Sequence, residues 1–297
     1  MEITWEGVYP ALTTPFTAHD EIDYPVFEKN LNAQMAAGVH GVILGGTLGE
    51  ASSLLNEEKY DLVRFTVEKT ALRIPVIMNI AEQTTRGAVA AALEAERCGA
   101  SGLMLLPPMR YNADARETLA YFRAVADATP LPVMIYNNPV DYKILVTLDM
   151  FAEMASWPTI RAVKESTRDV TNVTRMLNRF GDRFKILCGV DTLALESLLL
   201  GAHGWVAGLV DAFPEETVAI YKMAKNGEVA EAAALYRWFM PLLELDIHPK
   251  LVQYIKLAEV AAGLGTEHVR APRLPLEGEE RERVWKIIQD AISTRKQ

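Results

Sequence analysis

The chain has 297 residues, of which half are hydrophobic and 23% are charged, and its formal net charge is −9. This composition is typical of a soluble globular protein and disfavours intrinsic disorder. The 39 acidic against 30 basic residues argue against a nucleic acid as partner, because binding to a phosphate backbone requires a basic surface. No apolar run approaches the ~18 residues of a membrane span. The N-terminus lacks a basic region followed by an apolar one, so we expect neither a membrane segment nor a signal peptide.

The cysteines and histidines indicate the compartment and argue against a metal site. Cys98 and Cys188 are too few for a disulfide framework and suit a reducing cytoplasm. The five histidines are scattered without ligand spacing, so a structural zinc site is not expected. We therefore predict an acidic, cytoplasmic protein that handles small molecules.

A repeat marks three of the predicted strands. Residues 38–44, 99–105 and 201–207 each contain a glycine, two further residues, a second glycine and a short apolar run. Each copy follows a helical pattern, such as residues 85–98, so we predict that its first glycine ends that helix in the left-handed conformation. The second glycine is expected to let the chain turn into a buried strand.

A second repeat interleaves with the first, at residues 74–79 and 131–137. In each repeat, the first two copies are separated by about two βα units, and one such unit has roughly 30 residues. Residues 8–12, 160–163 and 185–187 bring the number of strand candidates to eight. Eight alternating βα units predict a parallel sheet closed into a (β/α)₈ barrel, a TIM barrel. A doubly wound open sheet is the alternative, but no glycine-rich dinucleotide-binding fingerprint follows the first strand.

The strand patterns stop after about residue 214. Helices are predicted at 215–225, 228–245, 249–262 and 279–294. The first of them completes the eighth βα unit, which leaves three extra helices. No linker rich in serine or glycine separates these helices from the barrel. We therefore expect residues 1–225 to form the barrel and residues 226–297 to form a helical segment packed against it.

Active sites of such barrels lie at the C-terminal ends of the strands, and the first candidate there is Lys164. It follows a predicted strand in the sequence Val163-Lys164-Glu165-Ser166. Desolvation in the barrel mouth would lower the pKa of its amine, and a neutral lysine amine attacks carbonyl groups to form a Schiff base. The alternative is a lysine at a strand end that forms an ion pair with Glu165.

Tyr136 ends the fifth predicted strand, in the sequence Tyr136-Asn137-Asn138-Pro139. A phenol at the barrel mouth can carry a proton to and from a carbinolamine. Alternatively, Tyr136 is an aromatic packing residue whose hydroxyl has a partner.

The second predicted strand leads into residues 45–50, Gly-Gly-Thr-Leu-Gly-Glu. Glycines around a hydroxyl residue can expose consecutive backbone N–H groups, forming a nest that holds a carboxylate or a phosphate without a cation. Thr47 would add a hydroxyl to a proton relay. The alternative is a glycine-rich turn without a ligand. A P-loop is excluded because no Gly-Lys-Ser/Thr follows.

After the fourth predicted strand, Arg110 and Tyr111 either reach the site or cover loop and interface surface. Together, a carboxylate nest, a phenol and a lysine at three strand ends of one barrel predict a site for a 2-oxo acid. The nest would hold the carboxylate while Lys164 attacks the adjacent carbonyl carbon. The same geometry suits a cyclic imine that bears a carboxylate.

These motifs resemble those of the dihydrodipicolinate synthase and N-acetylneuraminate lyase superfamily, whose members are class I, Schiff-base lyases. Residues 46–50 are similar to its Gly-Thr/Ser-Thr-Gly-Glu motif, and residues 136–139 match its Tyr-Asn-x-Pro motif. Residues 163–166 match the motif that carries the Schiff-base lysine. The resemblance extends from about residue 7 to residue 275.

The resemblance implies that Lys164 is the nucleophile, Tyr136 the proton shuttle and Thr47 its helper. It also implies that the backbone around Gly46, Thr47 and Leu48 receives the substrate carboxylate. The remaining substrate-binding residues that it implies are Asn138, Gly189 and Val206. Family members are mostly homotetramers, built as dimers of dimers, and use neither a metal nor an organic cofactor.

Three further positions bear on the branch of the superfamily. In synthases a second tyrosine enters the neighbouring subunit's site, and Tyr111 is the nearest candidate in this chain. Leu48 replaces the usual hydroxyl residue of the nest, and Asp141 stands where synthases place an arginine for the carboxylate of the second substrate. We therefore expect poor synthase activity.

Segments that include residues 204–209 and 251–258 look like the branch of the Δ1-pyrroline-4-hydroxy-2-carboxylate deaminases. This resemblance implies deamination of that cyclic imine to 2-oxoglutarate semialdehyde. The alternatives are a pyruvate-dependent aldolase acting on a 2-keto-3-deoxy sugar acid or 4-hydroxy-2-oxoglutarate, and a 4-hydroxy-tetrahydrodipicolinate synthase. A catalytically silent small-molecule sensor is the alternative from another class.

Overall fold

The structure is a computed structural model that describes residues 3–109 and 111–295. Its strands in this part of the chain are β1 Gly7–Pro10, β2 Val42–Leu44, β3 Val76–Ile80, β4 Gly102–Leu105, β5 Val133–Asn137, β6 Ile160–Glu165, β7 Lys185–Cys188 and β8 Gly204–Ala207. Its helices are α1 Tyr24–Ala37, α2 Asn56–Thr70, α3 Thr85–Arg97, α4 Ala115–Ala128, α5 Pro139–Tyr142, α6 Leu148–Met154, α7 Thr171–Phe180, α8 Ala194–Leu199, α9 Pro214–Asn226, α10 Val229–Leu243, α11 Leu251–Ala262 and α12 Gly278–Ser293. Short 3₁₀ turns occupy Ala51–Ser53, Gly181–Arg183, Asp191–Leu193, Leu209–Asp211 and Glu244–Ile247.

The strands form a parallel barrel. Each strand from β2 to β7 pairs in parallel with the next along the chain, and β8 pairs with β1. A parallel bridge between Ala11 and Ile43 joins the β1 and β2 sides, and the backbone N–H of Leu12 donates to the carbonyl oxygen of Ile43. The predicted (β/α)₈ barrel is confirmed. The open-sheet alternative is wrong, because β1 has a neighbour on both sides.

The elements lie within a few residues of their expected bounds. The helix expected at 85–98 is α3, and the strand expected at 160–163 continues to Glu165 in β6. The helix expected at 228–245 instead ends at Leu243, where the 3₁₀ turn Glu244–Ile247 begins. Pro241 lies inside the last turn of α10, and its missing N–H removes a helical hydrogen bond near this end.

The two glycines of the first repeat are needed for different reasons. The first glycines have the predicted positive φ, which is 86° in Gly38, 86° in Gly99 and 105° in Gly201. The second glycines are needed because they pack closely. A Cβ atom on Gly41 would lie 2.3 Å from the ring of Tyr9, and one on Gly204 would lie 2.4 Å from the carbonyl oxygen of Gly7. Close packing at these positions, more than a turn, therefore requires glycine.

The C-terminal helices α10, α11 and α12 pack against the barrel. One continuous cluster of buried side chains includes Met104 and Leu187 from the barrel strands together with Phe239, Leu257 and Ile288 from these helices. The additional C-terminal helices of the predicted fold are therefore confirmed. The division of the chain between residues 225 and 226 stays a prediction.

A buried ion pair connects α11 to the glycine-rich loop after β2. Lys256 Nζ donates to Glu50 Oε1 at 2.5 Å, and both side chains are fully buried. The same amine donates to the carbonyl oxygens of Thr14 and His268, each at 2.7 Å. Because three oxygens accept hydrogen bonds from Nζ, the burial of this charge is compensated.

Two buried carboxyl groups lie where α11 meets the barrel. Glu259 Oε1 accepts hydrogen bonds from Thr13 Oγ1 at 2.6 Å and from Asn30 Nδ2 at 2.9 Å. Asp211 Oδ2 accepts one from the backbone N–H of Thr13 at 3.0 Å. Burial raises the pKa of Glu259 to about 7, and burial together with the charge of Glu259 raises the pKa of Asp211 well above its usual range. The folded protein therefore retains protons that the unfolded chain releases at the same pH.

We predict that Glu259→Gln stabilises the protein at pH 8 and has little effect near pH 4.5. The raised pKa means that the contribution of Glu259 is fully present below the ordinary carboxyl pKa and is lost as the pH rises towards 7. Glutamine keeps the acceptor oxygen and does not ionise, so the gain in free energy of unfolding at pH 8 is at most about 3 kcal/mol. Urea unfolding across this pH range measures it, with the exposed Glu282→Gln as control. An identical pH dependence in wild type and Glu259→Gln would contradict the prediction.

Candidate active site

The pairing of β5 with β6 brings Tyr136 and Lys164 together. In this parallel pair Tyr136 lies opposite Lys164, and Asn137 lies opposite Glu165. Side chains alternate across a strand, so Tyr136 and Lys164 share the face that points into the barrel. Lys164 Nζ lies 4.3 Å from the centroid of the Tyr136 ring.

Glu165 does not form an ion pair with Lys164. Its carboxylate accepts hydrogen bonds from the backbone N–H of Thr167 at 2.8 Å and from Asn172 Nδ2 at 2.7 Å. Asn137 Nδ2 donates to the same group at 3.3 Å. All these partners lie on the outer side of β6, so the ion-pair alternative for Lys164 is wrong.

The amine of Lys164 is buried without a hydrogen-bond acceptor in the described part of the chain. Burial lowers its pKa, while the neighbouring Tyr142, Asp246 and Asp191 act in the opposite direction. A lowered pKa increases the fraction of neutral amine, which is the nucleophilic form.

The hydroxyl of Tyr136 lies in a network with Asn138 and Asp141. Asn138 Nδ2 donates to Tyr136 Oη at 3.2 Å and to Asp141 Oδ2 at 2.7 Å. Burial raises the pKa of Tyr136 to about 12, so the phenol is protonated at neutral pH. It can therefore give a proton to an oxygen bound near Lys164 and take it back.

The glycine-rich loop after β2 presents free backbone donors. In the described residues, the N–H groups of Thr47 and Leu48 donate to no protein acceptor. The loop is held by bonds on either side, in which Glu50 N–H donates to the Thr47 carbonyl and Ala51 N–H donates to that of Gly46. Positive φ angles of 65° at Gly45 and 53° at Glu50 turn the chain at its two ends. These donors have the arrangement expected of a carboxylate nest.

Tyr142, which the sequence analysis missed, joins Thr47 to this network. Thr47 Oγ1 and Tyr142 Oη are hydrogen-bonded at 2.8 Å, and the rings of Tyr142 and Tyr136 meet edge to face with centroids 5.4 Å apart. Tyr142 is the last residue of α5, a single turn that Asn138 caps through the N–H of Asp141. Burial raises the pKa of Tyr142. Tyr142 lies six residues after Tyr136, one helical turn beyond a strand end, and this position was the sequence signal that could have identified it as a site residue.

The predicted Tyr111 does not line this chain's own cavity, and the residue is 56% exposed. Arg110 lies outside the described residues. The contact expected for Tyr111 is with a neighbouring subunit, so its role stays a prediction.

One cavity at the C-terminal ends of the strands brings most of the predicted site together. The predicted residues that line it are Gly46, Thr47, Leu48, Tyr136, Asn138, Lys164, Gly189 and Val206. The cavity is also lined by Asp141, which the sequence analysis singled out for its bearing on the substrate, and by residues that it did not select: Ala11, Met104, Ser166, Arg168, Val190, Gly208, Asp246, Ile247 and Leu251. The last three belong to the C-terminal segment, which therefore contributes to the site.

Gly189 leaves room for the side chain of Lys164. A Cβ atom on Gly189 would lie 2.6 Å from Lys164 Cγ and 2.2 Å from Ser166 Oγ. Real Cβ atoms do not approach other atoms this closely, so any larger residue must displace Lys164. Because Gly189 is distant from Lys164 along the chain, the sequence alone does not show that it makes room for the lysine side chain.

Within the described residues, no group of three or more histidine, cysteine, aspartate or glutamate side chains is arranged to hold a metal ion. Among the helices of the same residues, none is long and apolar enough to span a membrane.

Comparison with known proteins identifies the family. A model of the dihydrodipicolinate synthetase family matches residues 4–291, so the chain belongs to this family. The 4-hydroxy-tetrahydrodipicolinate synthase of Exiguobacterium sibiricum is 33% identical over 92% of both sequences, and that of Staphylococcus carnosus is 30% identical over 96% of both.

Solved structures agree with this assignment. The dihydrodipicolinate synthase of Aquifex aeolicus superposes with a TM-score of 0.92 at 26% identity, covering 96% of this chain and 97% of that one. A prophage protein of the dihydrodipicolinic acid synthase family from E. coli, in complex with pyruvate, gives 0.91 at 27% identity and covers 97% and 99%. The chain is a class I, Schiff-base lyase of this family.

We predict that Gly189→Ala abolishes most Schiff-base formation without unfolding the barrel. The added methyl group pushes Lys164 from its position, and a misplacement of about 1 Å costs on the order of a hundredfold in rate. Borohydride trapping with pyruvate, followed by intact-protein mass spectrometry, measures the adduct. Gly87→Ala is the control, because the atoms nearest to its Cβ would belong to the Glu82 and Thr84 side chains, at 3.2 Å or more. Equal trapping in both variants would show that Lys164 adapts to the methyl group.

Proposed function

We propose that the chain forms a Schiff base between Lys164 and a 2-oxo acid or a cyclic imine that bears a carboxylate. The observation that carries the proposal is the buried amine of Lys164, which has no protein acceptor among the described residues and lies over the ring of Tyr136. Thr47 and Leu48, whose N–H groups have no protein acceptor among the described residues, line the same cavity. A carboxylate bound there would hold the adjacent electrophilic carbon for attack by the amine.

The hydroxyl groups supply the protons of this chemistry. When the amine adds to a carbonyl carbon, the oxygen gains a proton, and a second proton is needed for it to leave as water. Tyr136 is the donor next to Lys164, and Tyr142 and Thr47 form the adjoining hydrogen-bonded pair. We infer that Tyr142 takes part in this relay from within the same subunit.

The specific substrate that we propose is Δ1-pyrroline-4-hydroxy-2-carboxylate. Lys164 would add to the ring C=N carbon, and the ring C–N bond would break with its electron pair on nitrogen, which becomes a primary amine. Loss of the hydroxyl group as water and a shift of the double bond give a terminal imine. Two water molecules then release ammonia and free Lys164. The net reaction consumes one water molecule and yields 2-oxoglutarate semialdehyde and ammonia.

The charges around the cavity support a substrate with a single carboxylate. Asp141 is fixed by Asn138 and lines the cavity, where it would repel a second carboxylate. A synthase must bind one on its second substrate and uses an arginine for this charge-assisted bond. The substrate of the deaminase has only the carboxylate that the nest would hold.

One observation favours the synthase or an aldolase as a second candidate. Arg168 lines the outer part of the cavity, is exposed and has a positive φ of 63°. A guanidinium at this place could bind a further anionic or polyhydroxyl group, and the named relatives are synthases. Membership of an enzyme family argues against the silent sensor.

We also propose that the protein is a cytoplasmic homotetramer built as a dimer of dimers. The assembly rests on the resemblance to the family, and the compartment rests on the reduced state expected for Cys98 and Cys188.

The experiment that tests the function is turnover of the pyrroline substrate, measured as release of ammonia and of the semialdehyde. Wild type should turn it over and, with pyruvate and borohydride, should gain a covalent mass on Lys164. Lys164→Ala should lose both properties, whereas Lys286→Ala, whose side chain is 74% exposed, should keep both. Cleavage of a 2-keto-3-deoxy sugar acid or 4-hydroxy-2-oxoglutarate to pyruvate, without ammonia release from the pyrroline, would establish the aldolase instead.

We predict that Tyr136→Phe and Tyr142→Phe both reduce turnover but to different extents. Tyr136 is the direct proton donor, so its loss should cost about 10²–10⁴-fold. Tyr142 acts through Thr47, so its loss should cost less, about tenfold, and should leave the KM nearly unchanged. Steady-state rates give the comparison, and Tyr60→Phe on α2 is the control. Turnover of Tyr142→Phe at the wild-type rate would show that the hydroxyl group of Tyr142 takes no part in proton transfer.

A further inference from the structure

Asp246 brings a carboxyl group from the C-terminal segment to the cavity of Lys164. It lies in the 3₁₀ turn Glu244–Ile247 and lines the cavity together with Lys164 and Tyr136. Gly208 makes this approach sterically feasible, because a Cβ atom there would lie 2.3 Å from Asp246 Oδ1. The same Cβ would lie 2.9 Å from Leu48 Cδ1. The carboxyl group therefore lies beside Leu48, next to the nest.

Asp246 differs from the other acidic groups around the cavity because, in the part of the chain that the structure describes, it has no hydrogen-bond or ion-pair partner. Asp141 accepts from Asn138, and Asp191 accepts from Trp205 Nε1 at 2.8 Å and from the N–H of Leu209 at 2.9 Å. Over residues 3–109 and 111–295, the carboxyl group of Asp246 makes no hydrogen bond and no ion pair. A polar group left unpaired at a cavity wall is available to a bound ligand.

The surroundings of Asp246 favour its protonated form. Burial is the largest cause that raises its pKa well above the usual range, and the charges of Asp191 and Asp141 add to the effect. Lys164 acts in the opposite direction. In its protonated form the group is a hydrogen-bond donor and an acid.

We propose that Asp246 is the catalytic acid that protonates the departing hydroxyl group of a substrate bound to Lys164. The proposal deepens the proposed deaminase function and rests on it. Hydroxide is a poor leaving group, so this elimination needs a proton donor on the hydroxyl oxygen. Tyr136 and the hydrogen-bonded pair of Tyr142 and Thr47 already have a role in the proton transfers that accompany Schiff-base formation.

The elimination starts from the Lys164 enamine, which forms when the carbon next to the Schiff base gives a proton to the relay of Tyr136. The nitrogen lone pair forms the C=N⁺ bond, and the electrons of the enamine double bond move to form the next C=C bond. The C–O bond breaks with its electron pair on oxygen, which takes the proton of Asp246 and leaves as water. Asp246 becomes a carboxylate beside the positive iminium, and it regains a proton as the double bond shifts towards the amine-bearing carbon.

The test compares Asp246→Asn with Glu244→Gln, an exposed residue of the same 3₁₀ turn. Asparagine keeps the size of the side chain but cannot act as an acid. We expect ammonia release from the pyrroline to fall about 10²–10⁴-fold in Asp246→Asn and to be unchanged in Glu244→Gln. Trapping of pyruvate on Lys164 should be equal in all three proteins, which shows that the barrel and the nucleophile are intact.

The mass of the trapped intermediate separates an acid from a structural residue. With the pyrroline and borohydride, the adduct of Asp246→Asn should keep its hydroxyl group and be heavier by one water molecule than the dehydrated adduct of wild type. A substrate analogue with fluoride in place of the hydroxyl should react with Asp246→Asn at nearly the wild-type rate, because fluoride leaves without protonation.

Three results would overturn the proposal. A wild-type rate in Asp246→Asn excludes the acid role and leaves the deaminase function standing. If Asp246→Asn is slow but accumulates the dehydrated adduct, the slow step comes after loss of the hydroxyl group. This result also excludes the acid role. If wild type traps pyruvate but releases no ammonia from the pyrroline, the deaminase function and the Asp246 proposal both fail.

Discussion

The register between β5 and β6 is the constraint on which the site depends. It sets Tyr136 opposite Lys164 on the inner face of the barrel, and Asn137 opposite Glu165 on the outer face. A slip of one residue in β6 would turn the amine outward and put a carboxylate in its place. The outer face holds the register through the hydrogen bond from Asn137 to Glu165. The inner pair is thus fixed by contacts that take no part in the chemistry.

The C-terminal segment completes the site and is held to it by buried charge. Lys256 on α11 bonds to Glu50, the last residue of the glycine-rich loop that forms the nest. Removing either partner would leave an uncompensated buried charge, a loss of about 3–5 kcal/mol in other proteins. The same segment carries Asp246 to the cavity wall. The loop that would bind the carboxylate and the turn that carries the acid are therefore parts of one packed unit.

What could be predicted from the sequence was what depends on local pattern. Short apolar runs after repeated glycines predicted the strands, and the rule that barrel sites lie at strand ends selected Lys164 and Tyr136. Asp246 could not be found in this way, because its approach depends on the end of α10 and on the missing side chain of Gly208. Arg168 reaches the mouth through a positive φ that an arginine rarely adopts. Such positions follow from tertiary packing, which the sequence pattern does not encode.

The opposite perturbations of Lys164 and Asp246 explain how a nucleophile and an acid can coexist in one small cavity. In water the carboxyl group of an aspartate gives its proton to the amine of a lysine, and the two form an ion pair. In this pair the ammonium group is not nucleophilic and the carboxylate is not an acid. Burial is the largest cause of both shifts, lowering the pKa of Lys164 and raising that of Asp246. Since desolvation penalises both charged forms, it favours the pair in which the proton stays on the carboxyl group. The residues of the C-terminal segment that line the cavity therefore add to the desolvation that favours both groups in the forms that the reaction uses.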